Sequence, residues 1–430
     1  MKVLLIHNFY KSIAPSGEDI VFRKESELLK KSGVKVVSYQ KNNDNIMSIL
    51  DMIRAGINIL WSWRSYKEIS ELIDREKPDL AHFHNIWYLI SASAYKACKD
   101  KGIPIIQTLH NFRVICINGL LYRSGRICEK CLEHKNIEGL PFKTDKNKLR
   151  ILINSLRYGC YRESRLHSLP LALANYISWR LGIWNRYVDA YICLTEFARQ
   201  KFIRAGLPAH KIHLKPNFLD NNLNPHYFHR NYAVFLGRIT PEKGVNVLID
   251  AMKLIRLQVQ QTDGRRPQQI KASQATVNKD MGFSLKIIGD GQLRATYEEE
   301  TKKIGLAISF EGKMNFDKYV EILKNAMFVV LPSLCYEGFP MVICEAYACG
   351  KPIIASRIGA LPELILDKET GLLFQPNSAR DLAQKIAWMI DNDSECIRMG
   401  KRARIEFEEK YSDKKNADKL IKIYHNVLNS

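Results

Sequence analysis

With 430 residues, 46% of them hydrophobic and 10% aromatic, the chain is too long for one ordinary domain and has apolar material for two cores. Its 65 Lys and Arg outweigh 45 Asp and Glu, and the resulting +20 charge attracts phosphates, anionic membrane surfaces or nucleic acid without choosing among them. The apolar start, Val3 to Ile6, falls short of a secretory leader's core of about 7–15 apolar residues, and no uncharged stretch approaches the roughly 20 residues of a membrane span. A cytoplasmic protein is expected, its ten cysteines serving as thiols or metal ligands rather than disulfides.

In chain order, Val3–Ile6 reads as a buried strand, Ile20–Lys31 as a helix stopped by Gly33, and Val34–Tyr39 as the next strand. Ile46–Trp63 reads as an apolar, Trp-bearing helix. Leu80–His84, Ile103–Leu109 and Ala190–Leu194 continue the strand series with helices between them. A second series runs through Ala233–Leu236, Leu285–Ile288, Ile308–Phe310, Phe328–Leu331 and Ile353–Ala355. Strands alternating with helices predict parallel sheets wound on both faces, so two series predict two Rossmann-like α/β domains facing a central cleft. A Pro- and Asn-rich break at Lys215–Asn231 separates them. The expected domains are 1–218, 219–410 and a C-terminal helix, 411–430, returning to the first. Val259–Gly282, polar and without apolar period, reads as a surface insertion, and 115–187 as a longer, cysteine-bearing excursion of the first domain.

The chemistry concentrates at strand ends, where open α/β sheets bind ligands. Glu337-Gly338-Phe339-Pro340-Met341-Val342-Ile343-Cys344-Glu345 follows a strand and opens a helix, placing two carboxylates about two turns apart. The backbone N–H groups near Gly338 and Phe339 suit an oxygen-rich or anionic ligand. Gly237-Arg238-Ile239-Thr240-Pro241-Glu242-Lys243-Gly244 follows the first strand of the second domain. Arg238 and Lys243 together suit a diphosphate, Arg as a planar fork and Lys as a point charge. As a leaving group the diphosphate gains negative charge, which fixed cations stabilise.

These motifs resemble the retaining glycosyltransferase family 4, of GT-B fold, and the resemblance covers nearly the whole chain. It implies that Glu337 contacts the donor sugar, Glu345 the ribose, and Arg238 with Lys243 the diphosphate. It also implies that Gly289-Asp290-Gly291 lies beneath the nucleotide, with Gly312-Lys313 bordering the base and Gly338, Phe339 and Pro340 completing the donor loop. In the first domain, Gly17 matches one of the two glycines the family places against the diphosphate, but Glu18 stands beside it, and an acid there would repel unless it points away. Thr108-Leu109-His110-Asn111 resembles the site near the reacting centre, with His110 orienting a sugar or sharing its proton. The resemblance implies transfer on one face of the sugar, the leaving phosphate oxygen helping to deprotonate the acceptor, with no covalent nucleophile. Glu337, His110, Arg238 and Lys243 are therefore the expected catalytic group, acting on a nucleotide diphosphate sugar and a glycan or lipid-linked glycan acceptor, as in polysaccharide or O-antigen synthesis.

No metal is expected in catalysis: Asp391-Asn392-Asp393 has the letters of a Mg²⁺ motif but lies between late helices. Cys128-Glu129-Lys130-Cys131 has zinc-knuckle spacing, and Cys116 and Cys160 complete a candidate structural zinc set. Cys335, Cys344 and Cys349 read as core residues. Between Pro141 and Tyr187 nine Lys or Arg and two acids are interleaved with Leu, Ile, Trp179 and Trp184, a pattern suited to the inner face of an anionic membrane. A GT-B sugar-nucleotide epimerase is the rival enzyme, and a basic nucleic-acid or membrane binder the rival without catalysis. Asn8-Phe9-Tyr10 in place of a Gly-x-Gly-x-x-Gly turn argues against a dinucleotide oxidoreductase, and no nucleic-acid module is recognised.

Overall fold

The computed structural model describes residues 1–12, 16–132, 145–262 and 282–429. Pro15, the start of the basic tract and most of the polar Val259–Gly282 segment lie outside them. The chain divides into two units. One comprises Met1–Arg123, Cys128–Phe218 and Asp413–Ser430, the other Leu219–Ser412 with the short stretch Ser124–Ile127.

The N-terminal unit holds a six-stranded parallel sheet in the order Lys35–Asn42, Lys2–Phe9, Leu80–Phe83, Ile105–Leu109, Ala190–Cys193, Ile212–Leu214. Val3, Leu4, Leu5 and Ile6 are all fully buried, as a central strand covered on both faces requires. The helix Gly17–Lys31 starts at a capping box, Ser16 and Asp19 each satisfying the other's backbone N–H. The last helix, Asp413–Leu428, packs Leu420, Ile423, Tyr424 and Val427 against Val3, Leu5, Phe22 and Leu29.

The C-terminal unit holds a second six-stranded parallel sheet, ordered Ile308–Gly312, Ser284–Ile288, Tyr232–Leu236, Phe328–Leu331, Ile353–Ser356, Gly371–Phe374. The core beneath it draws on Val245, Leu248, Ile249 and Met252 of one helix and Leu382, Ile386 and Met389 of another.

Three features differ from the sequence reading. Ile212–Leu214 and Gly371–Phe374 are strands that periodicity did not reveal, being only three and four residues long. The stretch Ile46–Trp63 is not one helix: Ile49–Asn58 ends, and Trp63–Glu76 starts afresh where the Ser62 side chain accepts from Ser65 N. A serine offering a cap restarts the backbone there.

Candidate active site

In the C-terminal unit, the loops that leave three neighbouring strands are locked together by backbone contacts. Gly244 adopts φ +69°, and a Cβ there would fall 1.9 Å from Pro332 O; Gly289 adopts φ +138°, and its Cβ would fall 1.9 Å from Gly237 O. Only glycine allows either approach. Leu334 N donates to Glu242 O at 2.8 Å, Gly237 N to Ile288 O at 3.0 Å, and Gly289 N to Gly312 O at 2.8 Å.

This scaffold brings Lys243 to Glu337. The ammonium donates to Glu337 Oε1 at 2.6 Å, and Ser333 Oγ donates to the same oxygen at 2.6 Å. Burial pushes the Glu337 carboxyl up, but the Lys243 charge, these two hydrogen bonds and the nearby Arg238 outweigh it and hold the group below its ordinary value. Burial likewise works against the Lys243 ammonium, and Glu337 overcomes it and raises its pKa. Arg238 is different: its side chain is 59% exposed, with Nη2 3.2 Å from Glu242 Oε1.

Glu345 is buried on the helix Met341–Ala348, where Tyr319 OH donates to it at 2.9 Å. Pro340 caps that helix, and Phe339 is buried with its ring 5.3 Å from Tyr411. Lys313 is exposed just beyond the edge strand Ile308–Gly312. Asp391 ends one helix and Asp393 begins the next, where His229 Nε2 meets Asp393 Oδ1 at 2.5 Å. Cys335, Cys344 and Cys349 are buried.

In the N-terminal unit, Gly17 opens the first helix, exposed, beside the acids of its first turn. Glu18 turns to Tyr10 and Asn111: Tyr10 OH donates to it at 3.3 Å and Asn111 Nδ2 donates to the same oxygen. Burial raises its carboxyl against the pull of Arg113. Asp19 accepts from Ser16 N at 3.0 Å and meets His7 Nε2 at 2.8 Å.

His110 leads out of the strand Ile105–Leu109, and its Nε2 lies 2.9 Å from His84 Nδ1. The other ring nitrogen of His84 stands 3.1 Å from Glu25 Oε1, and the second oxygen of Glu25 accepts from Lys215 Nζ at 2.8 Å. His82 bridges Tyr424 OH and Thr108 Oγ1, 2.7 Å from each. Burial first, and then the His84 charge, hold both His110 and His82 well below the ordinary histidine range, so both rings are neutral at neutral pH. Sequence reasoning placed His82 and His84 at the strand end but had no signal for Glu25 or Lys215, which look like ordinary charged residues until the fold buries both.

The excursion after His110 is pinned from within its own unit. Asn175 Nδ2 donates to Arg113 O at 2.7 Å and Trp179 Nε1 to Val114 O at 2.8 Å, both from the helix Arg165–Arg180. Cys116, Cys128, Cys131 and Cys160 line one small pocket farther along it.

Two doubly wound units, one presenting a buried cation–carboxylate pair at its strand ends, define an α/β protein of the two-Rossmann kind. A model described as "Glycosyl transferases group 1" matches residues 224–406, and one described as "Glycosyltransferase Family 4" matches residues 48–223, so the two together span 48–406. The chain belongs to the family 4 type of glycosyltransferases, with the GT-B fold. It is 28% identical over 385 residues to an uncharacterized glycosyltransferase of Methanocaldococcus jannaschii, covering 85% of this chain and 89% of that one. It is 29% identical over 208 residues to a D-inositol 3-phosphate glycosyltransferase of Corynebacterium glutamicum, spanning 46% of this chain and under half, 44%, of that protein. Among solved structures, sucrose-phosphate synthase from Thermosynechococcus elongatus superimposes with TM-score 0.66 at 16% identity, covering 100% of this chain and 99% of that one. Anabaena HepE in complex with UDP gives TM-score 0.61 at 16% identity, covering 99% and 100%.

Proposed function

We propose that this glycosyltransferase moves a hexose-type sugar, with retention, from a nucleotide diphosphate sugar to a glycan or lipid-linked glycan. The observation that carries the reading is the Lys243–Glu337 pair at 2.6 Å, held at the strand ends by loops that meet backbone to backbone. Solved neighbours of the same fold bind UDP or UDP-glucose, which supports a nucleotide-sugar donor. Lys243 and Arg238 take the diphosphate. As the bond from the anomeric carbon to the phosphate oxygen breaks, they stabilise the charge that develops. The acceptor oxygen bonds to the anomeric carbon on the same face, and its proton passes to the departing phosphate oxygen. Glu337 holds sugar hydroxyls, Glu345 the ribose, and the neutral His110 orients a sugar at the reacting centre. Gly289, Lys313 and the Gly338-Phe339-Pro340 turn border the nucleotide, and Gly17 the phosphates. None of these steps needs a metal.

Among the described residues no helix is long and apolar enough to cross a membrane. A lipid-linked acceptor is instead met at a surface: Met47, Ile49, Leu50, Ile53 and Ile57 are exposed by more than half, as is Trp63. An apolar strip of this kind on a basic chain suits the inner face of an anionic membrane.

Thermal-shift titration with a panel of nucleotide diphosphate sugars identifies the donor, and proton NMR of the product reads its anomeric configuration. The acceptor panel includes inositol 3-phosphate and L-malate, after the names of relatives. The reading fails if no nucleotide sugar raises the melting temperature, or if the product is inverted. Sugar epimerised in the absence of acceptor would favour the epimerase.

A further inference from the structure

We infer that Cys116, Cys128, Cys131 and Cys160 bind a structural zinc ion that fastens the excursion carrying His110, Asn111 and Arg113. The four residues come from three stretches of sequence and line one pocket of ≈ 20 Å³, room for a single small guest. Each stretch is set in place independently of the sulfurs. Cys128 N donates to Leu121 O at 2.8 Å, and Leu132 N to Glu129 O at 2.7 Å closes the turn through Cys131. Asn154 Nδ2 donates to Lys130 O at 3.2 Å, tying that turn to the helix Asp145–Arg157, and Cys160 N caps onto Ser155 O at 3.1 Å just beyond the helix. Glu129 is anchored by Lys201 and by Arg204 at 3.3 Å.

Four thiolates around Zn²⁺ carry a net charge of about −2, and zinc held by sulfur alone is the usual structural arrangement. The surroundings offset that charge. Arg123 lines the pocket, and Arg123, Lys130 and Arg157 all gather on the Tyr158 ring, 4.2, 4.6 and 5.5 Å from its centroid. Among the described residues, only Glu25, His82 and His84 bring three ligating atoms within 4.8 Å of one another. That trio already holds a cation, the Lys215 ammonium, 2.8 Å from Glu25. On binding the ion, Cys116 Sγ, now donating to Asn118 Oδ1 at 3.0 Å, and Cys160 Sγ, 3.7 Å from Asn154 O, exchange these weak bonds for the metal.

The functional consequence lies along the chain. Cys116 N donates to Phe112 O at 2.8 Å, and Phe112 N to Gly119 O at 3.0 Å, so the stretch from His110 through Cys116 folds as one piece with the first ligand. Zinc loss loosens that piece, whereas Lys243 and Glu337 belong to the other unit. The metal site stands independently of the donor and acceptor assignments, and the loss of transfer rests on the role proposed for His110.

Elemental analysis of the untagged full-length chain, purified under reducing conditions, tests it. About one zinc per chain is expected in the wild type and in a Cys98→Ala control, and less than about a tenth in Cys128→Ser/Cys131→Ser. If the double variant does not fold, the wild type supplies the second readout: Co²⁺ exchanged into the stripped protein gives the intense d–d and sulfur-to-cobalt charge-transfer bands of a tetrahedral thiolate site. The zinc-depleted enzyme is expected to lose transfer while nucleotide-sugar affinity stays within about twofold. A metal-free wild type that takes up neither Zn²⁺ nor Co²⁺, a disulfide among the four residues by intact mass, or zinc retained by the double variant would each overturn the inference.

Discussion

Replacing Lys243 by alanine separates the structural and chemical roles of the donor loop. The pair it breaks is short, 2.6 Å, and largely withdrawn from water, the side chains being 20% and 12% exposed. Removing one partner of such a pair costs about 3–5 kcal/mol, because the other charge stays buried alone. Glu337 can escape by taking up a proton, which sets a ceiling. A carboxyl with an ordinary pKa of about 4.3 costs about 1.36 kcal/mol per pH unit to protonate, so about 3.7 kcal/mol at pH 7. In the wild type the folded pKa of Glu337 is depressed, so its contribution is present above the unfolded value and lost only as pH falls through the folded one. In Lys243→Ala the sign reverses: the buried carboxyl titrates above its unfolded value, and the destabilisation shrinks as pH falls from 7 toward about 4.3.

Urea unfolding of Lys243→Ala at pH 7 and pH 5 reads this directly, with a loss of about 3 kcal/mol expected at pH 7 and clearly less at pH 5. Adding Glu337→Gln should recover about 1–3 kcal/mol, because no charge is left stranded. Transfer behaves otherwise. Loss of a fixed cation from the leaving diphosphate costs about 10²–10³ in rate, and Glu337→Gln does not restore it. Equal destabilisation at both pH values would refute the buried-pair reasoning, and wild-type transfer by Lys243→Ala would refute the assignment of the loop.

The other predictions rest on separate contacts. Gly244→Ala places a Cβ 1.9 Å from Pro332 O at φ +69°, whereas Gly33→Ala at φ +79° meets nothing within 4 Å; donor affinity should fall in the first alone, while both lose about 1 kcal/mol or more by thermal melting. His84→Leu removes the nitrogen 2.9 Å from His110 and should lower kcat about tenfold with donor Kd unchanged by calorimetry, a fall that a merely structural loss would not confine to turnover. Arg238→Ala should weaken donor binding strongly at low salt and little at high salt, since its side chain is 59% exposed, while the Lys243→Ala defect should persist at both. Burial, opposed by the Asp19 hydrogen bond, lowers His7 to about 4, so between pH 6.5 and 4 the unfolded chain binds the extra proton and stability falls with pH; His7→Gln should flatten that slope in urea titrations.

The strands and the loops beyond them were legible because apolar runs bounded by Gly, Pro and charged residues survive in any reading frame of burial: Phe328–Leu331 and Tyr232–Leu236 are as apolar in sequence as they are dry in the fold. Gly244 and Gly289 stand in motifs legible in the sequence, but the carbonyls they approach, Pro332 O and Gly237 O, follow other strands and were not. The partners of the charged residues were invisible for the same reason. Ser333, Glu242 and Tyr319 carry no pattern of their own, and each acquires meaning only when folding sets it within 3.2 Å of Glu337, Arg238 or Glu345. Glu18 shows the converse: its position beside Gly17 posed a repulsion in sequence, and the fold answers by turning it to Tyr10 and Asn111.

Net charge alone is a poor guide to how this chain handles an anion. The +20 total describes the far field, whereas the donor loop presents two cations of different kinds. Arg238 stands 59% exposed with Nη2 3.2 Å from Glu242 Oε1, so its guanidinium keeps donors for an arriving phosphate. Lys243 is already committed to Glu337, so a diphosphate must compete with a carboxylate for it. A ligand that brings both a diphosphate for the ammonium and sugar hydroxyls for Glu337 leaves neither charge stranded, whereas a bare phosphate would strand the carboxylate. On the proposed reading, the buried pair would favour a sugar-bearing diphosphate over inorganic anions of similar charge. In the other unit, burial keeps the His110 and His82 rings neutral, so that buried cluster offers hydrogen-bonding capacity without adding charge.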